Sequence, residues 1–471
     1  MFNTSVKHEI QSKLNLYFYH CCDFKNCGRS PYKAKCLLHV PSLKCTWYQP
    51  IVGLKCELGE IQLLGKGNCK LLNSTKKKHK EYKINKWNVN ISYFIFSNFT
   101  KINETTKNIQ TVLTEVQNNT CIKFFKKNET INQNGINFLK SNKCESEVIG
   151  MKSENESQYI YLTDECSYSM RKIRSLLYET LGLLPPVLRK DRNKYVTLKF
   201  LYMNQSKVTP LYDYYKPINN SLGPYDLGSI THYIPTLFTF DKHVKTIEPN
   251  ERYKMYYENM IGRIEEPSFF DYRTINKYYC SDICKKNECE DSGYNDPKNC
   301  SKCIERIDFS YIFSNNITDN LNSNCGYYLI YAGDHLKHFI QSRVTTCLYY
   351  IRTLYNTGKV YVRFPSFRGT FIKKECSLKN SIEIIYKSNL DVPGLFLCYN
   401  DDFETIELIS DSIFMTIIYR FEWYETYAYF EYKRTFDNDF KYEKLSKLEK
   451  IPLLRNETDD KINDCRAGKC A

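Results

Sequence analysis

"LLYETLGLLPPVLRKDRNKYV", residues 176–196, opens like a helix, reaches a glycine and two prolines, and closes on a dense charged run. With the residues just before it, Met170, Ile173, Leu176, Leu177 and Leu181 recur at helical spacing, so a helix is expected over about Ser167 to Leu181 with Gly182 as its stop. Pro185 and Pro186 then prevent the helix from continuing, because proline lacks the N–H and clashes with the preceding turn. Arg189, Asp191 and Arg192 read as structural ion pairing at a junction between subdomains. By themselves Leu176 and Leu177 are core residues. The puzzle is an ordered helix aimed at a sharp turn with no obvious chemistry on it.

The wider chain has 471 residues, too many for one ordinary core, and is expected to divide into about three modules. Its 21 cysteines occur with Asn-x-Ser/Thr triplets at Asn3, Asn73, Asn90, Asn98, Asn103, Asn118, Asn128, Asn155, Asn204, Asn219, Asn299, Asn316 and Asn456. Together these predict an oxidising, glycosylating compartment and a secreted, extracellular protein. The glycosylation candidates are Asn90, Asn98, Asn103, Asn118, Asn128, Asn155, Asn204, Asn219 and Asn316. Met1 to His20 holds only a weak apolar patch, Leu14 to Tyr19 interrupted by Asn15; this is a poor leader, and a displaced natural start is expected. No run approaches the ~18 apolar residues of a membrane span, so a soluble protein with no span is expected.

The net charge of +14 is local: fifteen lysines and one arginine against five acids place +11 of it in residues 1–86, leaving +3 for the rest. That distribution argues against a nucleic-acid partner. The Lys76-Lys77-Lys78-His79-Lys80 run reads as a solvated segment or processing site. Seven cysteines (Cys21, Cys22, Cys27, Cys36, Cys45, Cys56, Cys69) crowd the same segment, an odd number that cannot pair completely within it.

Beyond Trp87 the pattern changes. Ile109, Val112, Leu113 and Val116 predict a helix over 104–117, and 121–124, 136–139 and 159–162 read as strands of a small sheet. Cys284, Cys289, Cys300 and Cys303 crowd a segment too poor in apolar residues to fold without disulfides. Residues 325–433 form short Tyr-, Ile-, Val- and Phe-rich runs, the pattern of a β-sandwich.

Taken together, residues 87–433 resemble the astacin family of secreted zinc metalloendopeptidases. Family members carry His-Glu-x-x-His-x-x-Gly-x-x-His, then a Glu and a run like Arg-x-Asp-Arg-Asp-x-Tyr-Val; Gly182 and "RKDRNKYV" (189–196) fit that frame. "YDLGSITHY" (225–233) resembles the Met-turn segment, and "IGRIEEPSFFDYRTINKYYC" (261–280) the end of the catalytic domain. The chemistry needs two histidines at i and i+4, a glycine turn, a third histidine, and a Glu that activates zinc-bound water. By this alignment Ser175, Glu179 and Pro185 stand at the zinc-His positions and Leu176 at the catalytic Glu. Pro186 replaces the Glu that anchors the processed N-terminus, Thr231 replaces the Met, and Tyr233 keeps the metal-side tyrosine position. His232 and His243 are the only histidines between Trp87 and Cys280, so three imidazoles cannot be assembled there.

The resemblance also implies disulfides Cys121–Cys280 and Cys144–Cys166, a domain start at "WNVNISY" (87–93), and further modules. Cys284–Cys300 and Cys289–Cys303 match the first four cysteines of an EGF-like module whose fifth position is Glu305, leaving it eroded. "CGYYLIYAG" and the pairs Cys325–Cys347 and Cys376–Cys398 resemble a CUB domain, a class that binds proteins or glycans. "CSLKNSIEI" (376–384) lacks the acidic residue of calcium-binding versions, so no calcium is expected; His335 and His338 are read as a helical turn or exposed loop.

The expected fold class is therefore multidomain: an α+β metzincin-like protease domain, a small disulfide-rich EGF-like module and an all-β CUB sandwich. Its boundaries are a basic Cys-rich segment or pro-region at 1–86, then 87–280, 281–324, 325–433 and a tail at 434–471. The expected function is that of a catalytically dead family member without a cofactor, engaging an extracellular protein or peptide through the CUB domain or the vestigial cleft. Two alternatives stand beside it. One is an active enzyme that keeps zinc in an unconventional site; the other is a matrix protein built on its 40 tyrosines.

Overall fold

The computed structural model describes residues 84–204, 223–239, 244–284, 293–306, 325–341 except 328, 345–364, 377–389, 393–398, 405–421 and 428–436, with Asp241, Cys289 and a few short strands besides. Outside the described residues lie Lys76–Lys80, Asn219, Asn316, His243, Cys376 and the chain from 437, together with the side chains of the first seven cysteines. No helix among the described residues is long and apolar enough to cross a membrane.

The first lobe is a five-stranded sheet in the order Lys123–Lys126, Asn90–Ile95, Gly135–Lys140, Gln158–Leu162, Glu145–Ser146. All its neighbours pair in parallel except the last two, which are antiparallel. Its helices are Ile102–Asn119, Asp164–Tyr168, Met170–Thr180 and Phe269–Tyr279. Ile109, Val112, Leu113 and Val116 are all buried, so the 3.6-residue period did select the core face. The Cys121–Cys280 disulfide ties the end of the first helix to the end of the last, and Cys144–Cys166 links the edge of the sheet to the short helix.

The ordered lobe begins before Trp87. Met151 N donates to Asn85 O at 2.9 Å, and Trp87 Nε1 donates to Thr180 O at 2.8 Å from a buried position. Gly150 makes this close approach feasible: at φ +78° a Cβ there would lie 2.5 Å from Ile84 Cγ2 and 2.7 Å from Asn85 O. Gly150→Ala should therefore destabilise the fold by about 1–3 kcal/mol, through left-handed strain and the clash together. Urea denaturation measures this, and an unchanged midpoint would refute it.

A second core joins two parts of the chain far apart in sequence. Val187, Leu188, Tyr225, Leu227, Tyr256, Tyr257, Met260 and Ile261 pack in one buried cluster with Ile351, Val362, Ile384, Phe396, Leu408 and Phe430. The latter set comes from a two-sheet sandwich. One sheet has the order Leu329–Ala332, Thr345–Thr353, Phe414–Phe421, Asn380–Ile385, Leu395–Cys398; the other runs Lys337–Gln341, Ala428–Thr435, Lys359–Phe364, Ile406–Ile409. Cys325–Cys347 lies in it. Between lobe and sandwich, the hairpin Tyr294–Asp296/Asn299–Ile304 is held by Cys284–Cys300 and Cys289–Cys303.

One expectation needs correction. His338 is not in a helical turn: it pairs with Glu431 within a strand and stacks on Tyr429 at 6.0 Å, while His335 lies in the bend before it. The i, i+3 spacing is local, whereas the strand is imposed by the whole ladder to 428–432. The last strand of the sandwich runs Ala428–Thr435.

Candidate functional site

The helix expected over 167–181 is two helices. Ser169 breaks it with extended backbone and, as N-cap, accepts from Lys172 N at 3.3 Å, so the second helix runs Met170–Thr180. A serine hydroxyl competes with the helical ladder, which is why the apolar period ran through the break unmarked. The stop is as expected. Gly182 takes φ +91°, its N–H donates to Glu179 O and Leu183 N donates to Tyr178 O, both at 2.8 Å, a Schellman closure. The chain then passes from the first core, which includes Leu181 and Leu183, into the second, which includes Val187 and Leu188. The turn therefore sits on the seam between the two cores.

Side chains around this seam are mostly buried. Leu176 and Leu177 belong to the first core, Ser175 is half-buried, and Pro185 and Pro186 are buried at the start of a 3-10 turn. Glu179 is only 7% exposed, and its Oε2 accepts from Ser146 Oγ at 3.2 Å. Burial pushes its carboxyl up to about 7, against the opposing pull of the Ser146 hydroxyl, Lys172 and Arg171. The 225–233 segment crosses the same seam, with Tyr225 and Leu227 in one core and Ile230 in the other.

That segment is held by two carboxylates. Asp226 accepts from Gly228 N at 2.7 Å and Ser268 Oγ at 2.6 Å; Asp271 accepts from Ser229 Oγ at 2.6 Å and Ile230 N at 2.8 Å. Both carboxyls are raised by burial. Thr231 is fully buried, with Oγ1 3.1 Å from Ser229 Oγ, and Tyr233 is half-buried. His232 is buried with Nδ1 2.9 Å from Tyr233 O and Nε2 3.3 Å from Tyr225 Oη, and burial lowers it to about 4. Arg171 Nη2 donates to its carbonyl at 3.3 Å, tying this segment to the Met170–Thr180 helix. The charged run packs beside it: Arg189 forks onto Asp191 with two bonds of 2.9 Å and donates to Gly223 O and Pro224 O, while Arg192 caps Val187 O.

The model of the astacin peptidase family matches residues 79–280. Residues 79–280 form an astacin-family domain. Among curated relatives, the zinc metalloproteinase dpy-31 of Brugia malayi is 31% identical over 220 residues, 46% of this chain and 36% of that protein. The zinc metalloproteinase nas-36 of Caenorhabditis elegans is 31% identical over 212 residues, 45% of this chain and 33% of that protein. The chain thus spans about a third of the length of these relatives. Among solved structures, high choriolytic enzyme 1, a hatching-enzyme zinc protease from Oryzias latipes, is 22% identical with a TM-score of 0.34; the match covers 44% of this chain and 96% of that one.

The side chains that the family frame aligns with the zinc ligands, Ser175, Glu179 and Pro185, do not fit the zinc for which those relatives are named. Pro185 has no side-chain donor, Ser175 offers a neutral hydroxyl, and Glu179 is buried, bonded to Ser146 and about half protonated at pH 7. Leu176 has no proton to accept or give. Among the described residues, no group of three or more His, Cys, Asp or Glu side chains could hold a metal. Sequence reasoning missed the Ser146 partner of Glu179, 33 residues away, and the Asp226–Ser268–Asp271 network, 42 residues across. The "SFFD" run of a capping box at Ser268–Asp271 was the one available signal for the latter.

Proposed function

We propose that this astacin-family protein is secreted and acts by binding rather than by zinc hydrolysis. The observation that carries the reading is the buried Glu179 carboxyl bonded to Ser146, at what the family frame makes a zinc-His position; the same frame puts Pro185 at another and Leu176 at the general base. The other modules are read as an eroded EGF-like hairpin and a CUB domain, supported by the paired cysteines 284–300 and 289–303 and by the two-sheet sandwich with Cys325–Cys347. Five disulfides among the described residues and exposed acceptor asparagines at Asn90, Asn98, Asn103, Asn118, Asn128 and Asn155 favour an extracellular site of action. The partner is an extracellular protein or peptide, gripped by the sandwich or the vestigial cleft.

Metal analysis of the purified full chain should find far less than one zinc per molecule, and a broad peptide-library assay no chelator-sensitive cleavage. One tightly held zinc per chain with cleavage abolished by chelator would establish the active-enzyme alternative instead.

A further inference from the structure

One polar cluster joins all three parts of the described chain. Glu383, 3% exposed and on the Asn380–Ile385 strand of the sandwich, is paired on one side with Arg306 and on the other with Arg420 Nη2 at 2.8 Å. Arg306 follows directly on the disulfide-held hairpin, and its guanidinium lies 5.1 Å above the Phe270 ring of the Phe269–Tyr279 helix. Phe269, in turn, meets Tyr294 of the hairpin at 5.7 Å. Gly394 gives the carboxylate its space: a Cβ there would lie 2.7 Å from Glu383 Cγ. Although burial alone would push Glu383 up, the two guanidiniums hold it down to about 2, so the cluster is ionic across the ordinary pH range.

The cluster opens on a cavity of about 140 Å³ that Asp226 and Ser268 line from the other side. Asp226 is the carboxylate that fixes Gly228, and Gly228 itself is wedged against the interface: a Cβ there would lie 2.9 Å from Met260 Cε and 3.4 Å from Phe396 Cε2 of the sandwich. The turn at the seam therefore rests directly on the sandwich.

We propose that Glu383 is a positioning residue for the 225–233 turn: held in place by Arg420 on the neighbouring strand of its own sheet, it latches sandwich, hairpin and astacin domain into one unit through Arg306, and so sets the turn at the seam from a different module. The inference holds whether or not the chain cleaves peptides. It makes the sandwich part of the site rather than an appendage on a flexible spacer.

Hydrogen exchange read by mass spectrometry on the full chain tests this. In Glu383→Gln, which keeps shape but leaves two guanidiniums without their counter-charge, peptides covering 225–233 should exchange about tenfold faster, with 90–95 and 135–140 unchanged. Arg420→Gln, at a partly exposed position, should give the same pattern more weakly and serves if Glu383→Gln fails to fold; Arg420→Lys should return the turn toward the parent rate. Faster exchange confined to 380–398, or spread evenly over the chain, would overturn the proposal.

Discussion

Replacing Cys121 and Cys280 together with alanine should lower the melting temperature by about 10–20 °C, the largest effect expected of any change far from the seam. The bridge spans 159 residues, and the chain-entropy model gives roughly 5 kcal/mol for a closed loop of that size. The physical site agrees with the magnitude. Cys280 is buried at the end of the Phe269–Tyr279 helix, where Asn276 Nδ2 also donates to Asn119 O at 2.9 Å and Tyr279 Oη to Leu181 O at 2.8 Å. Losing the bridge frees the first and last helices of the lobe to part in the unfolded chain, at a separation where entropy is greatest. Calorimetry of the oxidised double variant measures the shift; a change under about 3 °C would mean that the unfolded chain is already restrained by other contacts.

Glu179→Gln should stabilise the protein at pH 8 by about 3 kcal/mol and leave it nearly unchanged at pH 4. The sign follows from linkage. The unfolded carboxyl loses its proton near 4.5 and the folded one only near 7, so the folded state holds more protons in between and stability falls as pH rises through that window. Above pH 7 the native protein carries a buried carboxylate that burial penalises. Glutamine imitates the protonated form and can still accept from Ser146 Oγ, so it removes the penalty without creating a cavity. Urea titrations of both proteins at pH 4 and pH 8 separate the cases. Equal pH sensitivity in parent and variant would show that Glu179 is hydrated or paired in solution. The same outcome bears on metal binding, since a carboxyl that prefers its proton at neutral pH is a poor ligand for a divalent cation.

What could be read from the sequence was what repeats locally. The Ile109, Val112, Leu113, Val116 stripe and the Gly182 stop are written in neighbouring residues, and the cysteine spacings mark the segments they staple. The break at Ser169 escaped because a hydroxyl that caps one helix by bonding Lys172 N looks, in sequence, like any polar residue on a helix face. His338 escaped because its strand depends on partners about 90 residues away. The chemistry around Glu179 was not legible: nothing near Glu179 in sequence points to Ser146. The shared core was the least legible feature. Met260 and Phe396 are simply apolar in sequence, and only the fold shows that Phe396 N donates to Met260 Sδ at 3.4 Å across 136 residues.

The Lys254–Met260 helix and the tyrosine before it also cover the open edge of both sheets of the sandwich. Ile409 N donates to Tyr253 Oη at 2.6 Å and Glu407 N to Tyr256 Oη at 3.4 Å on one edge strand, and Met260 meets Phe396 on the other. Uncovered edges of this kind invite pairing with other chains. The sandwich is therefore not a self-contained cassette: moved to another protein it would carry two sticky edges with it, and lost from this one it would leave Tyr257, Met260 and Ile261 bare to water. A substitution on either side of this contact therefore acts on both halves: the stability of the sandwich edge and that of the lobe are one quantity, shared across residues 253–261 and 396–409.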